Sequence, residues 1–112
     1  MSKLDTATES AIAQMKSCKI PVNEELIRAI CKSLGPSLYK KDARLVAARD
    51  KKEIETVKKN FIAKKLGVDD EKKADAAIAH AIEKIGPSNR AKQRPVFYYL
   101  IVRKLKKEDV YA

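Results

Sequence analysis

SNRAKQRPVFYYLIVRKLKK, residues 88 to 107, decides how the rest of the chain is read. Residues 96 to 102 form an unbroken apolar and aromatic run between two basic clusters, Arg90, Lys92 and Arg94 before it and Arg103, Lys104, Lys106 and Lys107 after it. A short run of this kind suits a buried strand or a buried helix equally well. No second β-branched, alternating segment exists to pair with it, and a lone strand would leave its backbone groups unsatisfied in a core. The run therefore predicts a helix over about 95–106. Pro95 fits its first turn, where a missing N–H costs nothing and φ is already set. At roughly 100° per residue, Val96, Phe97, Tyr98, Leu100, Ile101, Val102 and Leu105 cover about 240° of the helix surface. A helix that apolar has to be surrounded, so it is expected at the centre of a bundle.

The chain has 112 residues, 45% of them hydrophobic, with three Gly and four Pro. That composition belongs to one folded domain with a core of its own rather than to a disordered chain. No apolar run has the length of a membrane span, and the opening MSKLDTATES has no apolar signal core. The expected compartment is the cytoplasm, and Cys18 and Cys31 are expected as free thiols. Two cysteines and one histidine, with no CxxC or HxxxH spacing, do not furnish a zinc site. No metal and no cofactor are expected.

Working outward, the punctuation is helical throughout. Thr6 with Glu9 three residues on is a capping-box pattern that opens a weakly attached N-terminal helix within residues 1–20, with Ala11, Ile12, Met15 and Cys18 on one side. Pro21 ends it. Asn23 caps a second helix carrying Leu26, Ile27, Ile30, Cys31 and Leu34, stopped by Gly35 and Pro36. Residues 36 to 49 hold no trustworthy period, and a turn of helix over about 42–47 is the expectation there. Asp50 with Glu53 opens a helix running to Leu66, with Gly67 as its stop. Asp69 or Asp70 opens another, whose stripe of Ala74, Ala77, Ile78, Ala81, Ile82 and Ile85 ends at Gly86 and Pro87. The sum is an all-α, compact single-domain bundle of about five to six helices.

AICKSLGPS (29–37) resembles AIEKIGPS (81–88), and FIAKKL (61–66) resembles LIVRKL (100–105), in the same order. Either residues 22–66 and 68–105 are halves of a twofold repeat, or helices have simply been stopped twice by the same Gly-Pro chemistry.

LGPSLY (34–39), VKKNFIAKKLG (57–67) and SNRAKQRPVFYYLIVRKL (88–105) also resemble a small bacterial family, the domain of unknown function 2853. The resemblance covers roughly residues 20 to 111. It implies a compact, all-helical cytosolic domain with no established activity and no catalytic residues to carry over. Pro95 departs from the alanine that the family pattern would have, which bears on where the last helix begins.

Chemistry is mostly excluded. His80 falls about 160° or more from the isoleucine stripe of its helix and is expected in solvent. No GxSxG, GxxxxGK[ST] or GxGxxG occurs. The acidic residues Glu24, Glu25, Asp50, Glu53, Asp69, Asp70 and Glu71 gather at helix starts, where they complement the macrodipole. An enzyme of unidentified type is the weakest of the readings.

The net charge of +10 is the one global feature that points outward. Lys32, Lys64, Lys65 and Lys84 belong to last helical turns, where cations are favoured. The excess without such an account lies in two segments, Lys40, Lys41, Arg44, Arg49, Lys51, Lys52, Lys58 and Lys59, and then Arg90, Lys92 and Arg94; all but Arg49 and Lys58 are candidate contacts for a polyanion. Two functions remain open. One is a non-catalytic protein-interaction or binding module, self-associating or bound to a protein partner. The alternative is sequence-independent binding to RNA or DNA backbone through those lysines and arginines, which requires the fold to bring the two segments together. Membrane binding is not expected, because no basic helix carries an exposed apolar side. Lys58, between two apolar sets on its helix, is expected to meet a carboxylate or tyrosine hydroxyl of another helix.

Overall fold

Val96, Phe97, Ile101 and Val102 have no solvent exposure, and Tyr99 and Leu100 have 1% and 4%. The apolar run at 96–102 is the centre of the core, and it is helical. The structure, a computed structural model, describes residues 3–35, 45–89 and 92–111. Among these, five helices follow in order: α1 (Lys3–Ser17), α2 (Glu24–Leu34), α3 (Lys51–Thr56) continued without a break by a π-helix (Val57–Lys65), α4 (Glu71–Ile85) and α5 (Arg94–Leu105). A 3₁₀ turn, Glu108–Tyr111, closes the described chain. No strand occurs among the described residues, and the Cα radius of gyration of 12.8 Å is that of one compact domain. The protein is an all-α single domain.

The local causes are visible at the helix ends. Asn23 Oδ1 accepts from the Leu26 N–H at 3.2 Å, Asp50 Oδ1 from Lys52 at 2.9 Å, and Asp70 Oδ1 from Lys72 at 2.9 Å. Each replaces a helix-terminal bond that the backbone cannot make for itself. Gly35 and Gly86, at φ of +56° and +117°, end α2 and α4 where a side chain would be strained. α5 starts at Arg94 with Pro95 in its first turn and does not run back to Arg90. The Gln93 N–H before it donates to Gln14 Oε1 of α1 at 3.0 Å.

α5 packs against α4, α2 and α1 at once. Ala74, Ala77 and Ala81 present small buried side chains on α4, which lets the bulky α5 come close. α1 contributes Ala11 and Met15, both without exposure, and packs on α2 and α5. Tyr99 ties these layers together. Its hydroxyl donates to the Pro21 carbonyl at 2.7 Å and accepts the Asn23 N–H at 3.0 Å, so the α1–α2 turn hangs from the middle of α5. Cys18 and Cys31 are both free.

The segment after α3 departs from the expected α-helix. Its hydrogen bonds open to i→i+5, as in Leu66 N–H to Phe61 O at 3.0 Å. The residue pattern supplies a reason. At about 100° per residue, Val57, Phe61, Ile62 and Leu66 would spread over roughly 180°, and half would face solvent. At the roughly 82° per residue that i→i+5 bonding imposes, the same four fall within about 80°. All four are buried. The widened winding exchanges good backbone geometry for a single apolar face.

The turn of helix expected over 42–47 is not found in its described part. Leu45 instead forms an isolated antiparallel bridge with Gln93, and the Val46 N–H donates to the Lys92 carbonyl at 2.8 Å. Val46 is 3% exposed, so an extended backbone that buries its side chain and pairs its N–H displaces a one-turn helix that would do neither. The first Gly-Pro-Ser turn continues into residues 36–44, outside the described residues. FIAKKL is π-helical whereas LIVRKL is α-helical, so the two hexamers share composition but not winding.

Candidate anion-binding site

The bridge between Leu45 and Gln93 sets residues 45–46 beside residues 92–93, and the described cations of the two basic segments each meet their own surroundings. Lys51 and Lys52, in the first turn of α3, are exposed, as is Lys59 on the π-helix. Arg94 turns inward, with 14% side-chain exposure. Its Nη2 pairs with Glu53 Oε1 of α3 at 2.5 Å and donates to the Leu45 carbonyl at 3.3 Å, while Nη1 donates to Tyr98 Oη at 3.1 Å. The Tyr98 ring in turn stacks on Phe61, centroids 3.8 Å apart. Arg94 is thus a clamp that joins α5, α3 and the 45–46 segment. Lys40, Lys41, Arg44 and Arg90 lie outside the described residues.

Lys92 is the unexpected member of the set. It is 3% exposed, and its Nζ donates to the Asn89 carbonyl. No carboxylate lies within ion-pair distance of it among the described residues. Burial, and next the charge of Arg49, hold its ammonium below the ordinary lysine pKa. Lys92, Arg49 and Asn89 line a cavity of about 450 Å³ together with Val46, Ala47, Ala48 and Asp50. Arg49 is exposed and, like Lys92, has no acidic partner among the described residues. The one acid of the lining, Asp50, spends Oδ1 on capping α3.

From the sequence, Lys92 reads as a candidate polyanion contact and Arg49 only as one cation of a dense basic stretch, while nothing singles out Asn89. Burial of a lysine has no local sequence signature, since it depends on the 45–50 segment crossing over it. A dense basic stretch whose neighbour, Val46, is apolar was the only available signal.

A second cavity, of about 470 Å³ between α1 and α2, has the opposite character: Asp5, Glu9, Glu24 and Glu25 line it, with Arg28 paired to Asp5. A third, of about 180 Å³, is lined by His80, Lys19, Lys84, Tyr99 and Arg103. His80 is half-buried rather than free in solvent as its helical position suggested, and Lys19, Ile20 and Pro21 line the same cavity. Among the described residues no three His, Cys, Asp or Glu side chains gather as a metal site. No described helix is long and apolar enough to cross a membrane.

No curated protein matches the chain. A family model described as "Protein of unknown function (DUF2853)" matches residues 3–109 of the 112, covering every helix described above and the cavity between the basic segments. The chain belongs to that family.

Proposed function

We propose that the protein is a non-catalytic binding module for polyanions, and that it holds nucleic-acid backbone without reading sequence. The observation that supports this reading is the hydrogen bond from the Val46 N–H to the Lys92 carbonyl, which sets the chain just before Arg49, Lys51 and Lys52 against the start of the second basic segment. Arg49, Lys51, Lys52 and Lys59 are exposed, and Glu53 of α3 is already engaged by Arg94. Lys40, Lys41, Arg44 and Arg90 belong to the same reading by their place in the sequence.

The self-associating module is less supported on one specific ground. Val110 is the sole large hydrophobic exposed among the described residues, whereas a stable homodimer generally rests on a contiguous apolar patch. A partner that recognises this surface has to be met through charge.

Titration of a labelled single strand and a short duplex, at several salt concentrations, tests the proposal. Binding should weaken linearly on a log-log plot as salt rises, with little dependence on base identity. Lys51→Glu with Lys52→Glu should lower the slope by about one for each phosphate no longer neutralised and leave the helical circular dichroism unchanged. No binding at about 50 mM salt, where such pairing is strongest, would end this reading.

A further inference from the structure

We propose that the cavity lined by residues 46–50, Asn89 and Lys92 is a site for a single phosphate monoester group, held by Lys92 from within and by Arg49 at the mouth. The inference goes beyond backbone binding, because it names a discrete pocket with one buried cation rather than a charged surface.

Lys92 carries the argument. An ammonium has three N–H donors, and here one reaches the Asn89 carbonyl while the residue is 3% exposed. Lysines are almost never buried so completely unless a counter-charge shares the cost. None of the described carboxylates is within ion-pair range, and Arg49, which lines the same cavity, is a second cation whose charge disfavours the ammonium. Two cations facing one cavity, with the lining acid Asp50 turned to its capping role, form a place that is complete only when an anion occupies it.

Size and walls narrow the ligand class. The volume of about 450 Å³ lies within the range of small-molecule sites and far exceeds a bare ion. Val46, Ala47 and Ala48 add apolar surface to the lining, which suits the organic part of a monoester. Arg49 can grip a phosphate with two parallel N–H donors while Lys92 acts as a point charge beneath it. The group could arrive on a free phosphorylated small molecule or as the terminal phosphate of an oligonucleotide, and the chemistry at the pocket is the same.

Calorimetry and thermal shift on the full chain with glycerol phosphate, at about 150 mM salt where exposed charge pairs are screened, form the test. Saturable one-to-one binding and a raised melting temperature are expected. Lys92→Met, which keeps the length of the side chain, should weaken binding at least about tenfold. Should that variant fail to fold, Arg49→Ala is the second probe: the residue is exposed, so the fold should hold while affinity falls by a similar factor. Oligonucleotides with and without a 5′-phosphate separate the sources. A gain with the phosphate that disappears in Lys92→Met assigns the pocket to a strand end, and no gain assigns it to free monoesters. Absence of saturable glycerol phosphate binding at about 10 mM, or affinity equal in wild type and Arg49→Ala, overturns the site. Salt-dependent binding of unphosphorylated strands is independent of either result, so failure of the pocket and failure of the backbone reading are told apart.

Discussion

Lys58 Nζ lies 2.9 Å from Asp75 Oδ1, an ion pair that ties the π-helix to α4. Glu71 and Glu55 stand further off, at 3.6 and 3.9 Å. The hydrogen bond that Lys58 donates to Asp75 is the main reason its pKa is raised, so the stabilisation is present below the ordinary lysine value and is lost as pH climbs through the raised one. Lys58→Met is expected to lower the unfolding midpoint in denaturant. The loss should shrink when Asp75 is already Asn and should also shrink in high salt, because Asp75 is 62% exposed. Equal losses in both backgrounds would mean that the pair contributes nothing.

That lysine was legible in the sequence because its position between two apolar sets on a helix demands a partner. The central place of α5 was legible for a related reason, since no exposed helix tolerates the run from Val96 to Val102. Caps at Asn23, Asp50 and Asp70 were equally readable, being local chemistry. The π-winding was not, because Val57, Phe61, Ile62 and Leu66 are compatible with an α-helix until the neighbours that must cover them are known. Nor was the fate of the basic clusters. Arg94 and Lys92 read as surface cations, and only the crossing of residues 45–50 over them turns one into an ion-pair clamp and the other into a buried ammonium.

Tyr99 supplies a sharper test of the core. Removal of its hydroxyl in Tyr99→Phe leaves the ring packing intact but strips a donor from the Pro21 carbonyl and an acceptor from the Asn23 N–H. Both backbone groups are near the surface of the turn, so water can replace part of that bonding. A destabilisation of about 1–2 kcal/mol is expected by denaturant unfolding. Hydrogen exchange at the Asn23 amide should quicken more than exchange within α4. An unchanged exchange rate at Asn23 would show that the α1–α2 turn does not depend on α5.

Arg94 is a part of the scaffold as well as a cation, and substitution there has a different signature from substitution at Lys51. Arg94→Met leaves the partly buried Glu53 without its partner and releases the Leu45 carbonyl, for an expected cost of about 1–3 kcal/mol. Arg94→Lys should recover only a fraction, since a point charge cannot reach Glu53, Leu45 and Tyr98 together. Any weaker nucleic-acid binding by Arg94 variants should therefore come with a lower melting temperature, whereas Lys51→Glu should weaken binding without one. Full stability in Arg94→Met would remove the clamp from this account.

His80 predicts how stability responds to mild acid. Desolvation is the main cause that lowers its pKa below the ordinary value of 6.5, followed by the charges of Lys104 and Lys84, with Glu83 opposing. Lys19 and Arg103 line the same cavity and add no negative charge to it. A histidine held neutral in the folded state but free to protonate when unfolded binds more protons in the unfolded chain. Stability should therefore fall as pH drops through about 6.5 and stop falling once the pH is below the folded value. Carboxylates titrate mostly below about pH 5, so the interval from about 7.5 to 5.5 isolates the imidazole. His80→Gln should flatten the melting temperature across that interval while leaving the value at pH 7.5 nearly unchanged, because Gln fills similar space without titrating. A wild-type profile that is already flat, or a slope that survives in His80→Gln, would place the pH response elsewhere in the molecule.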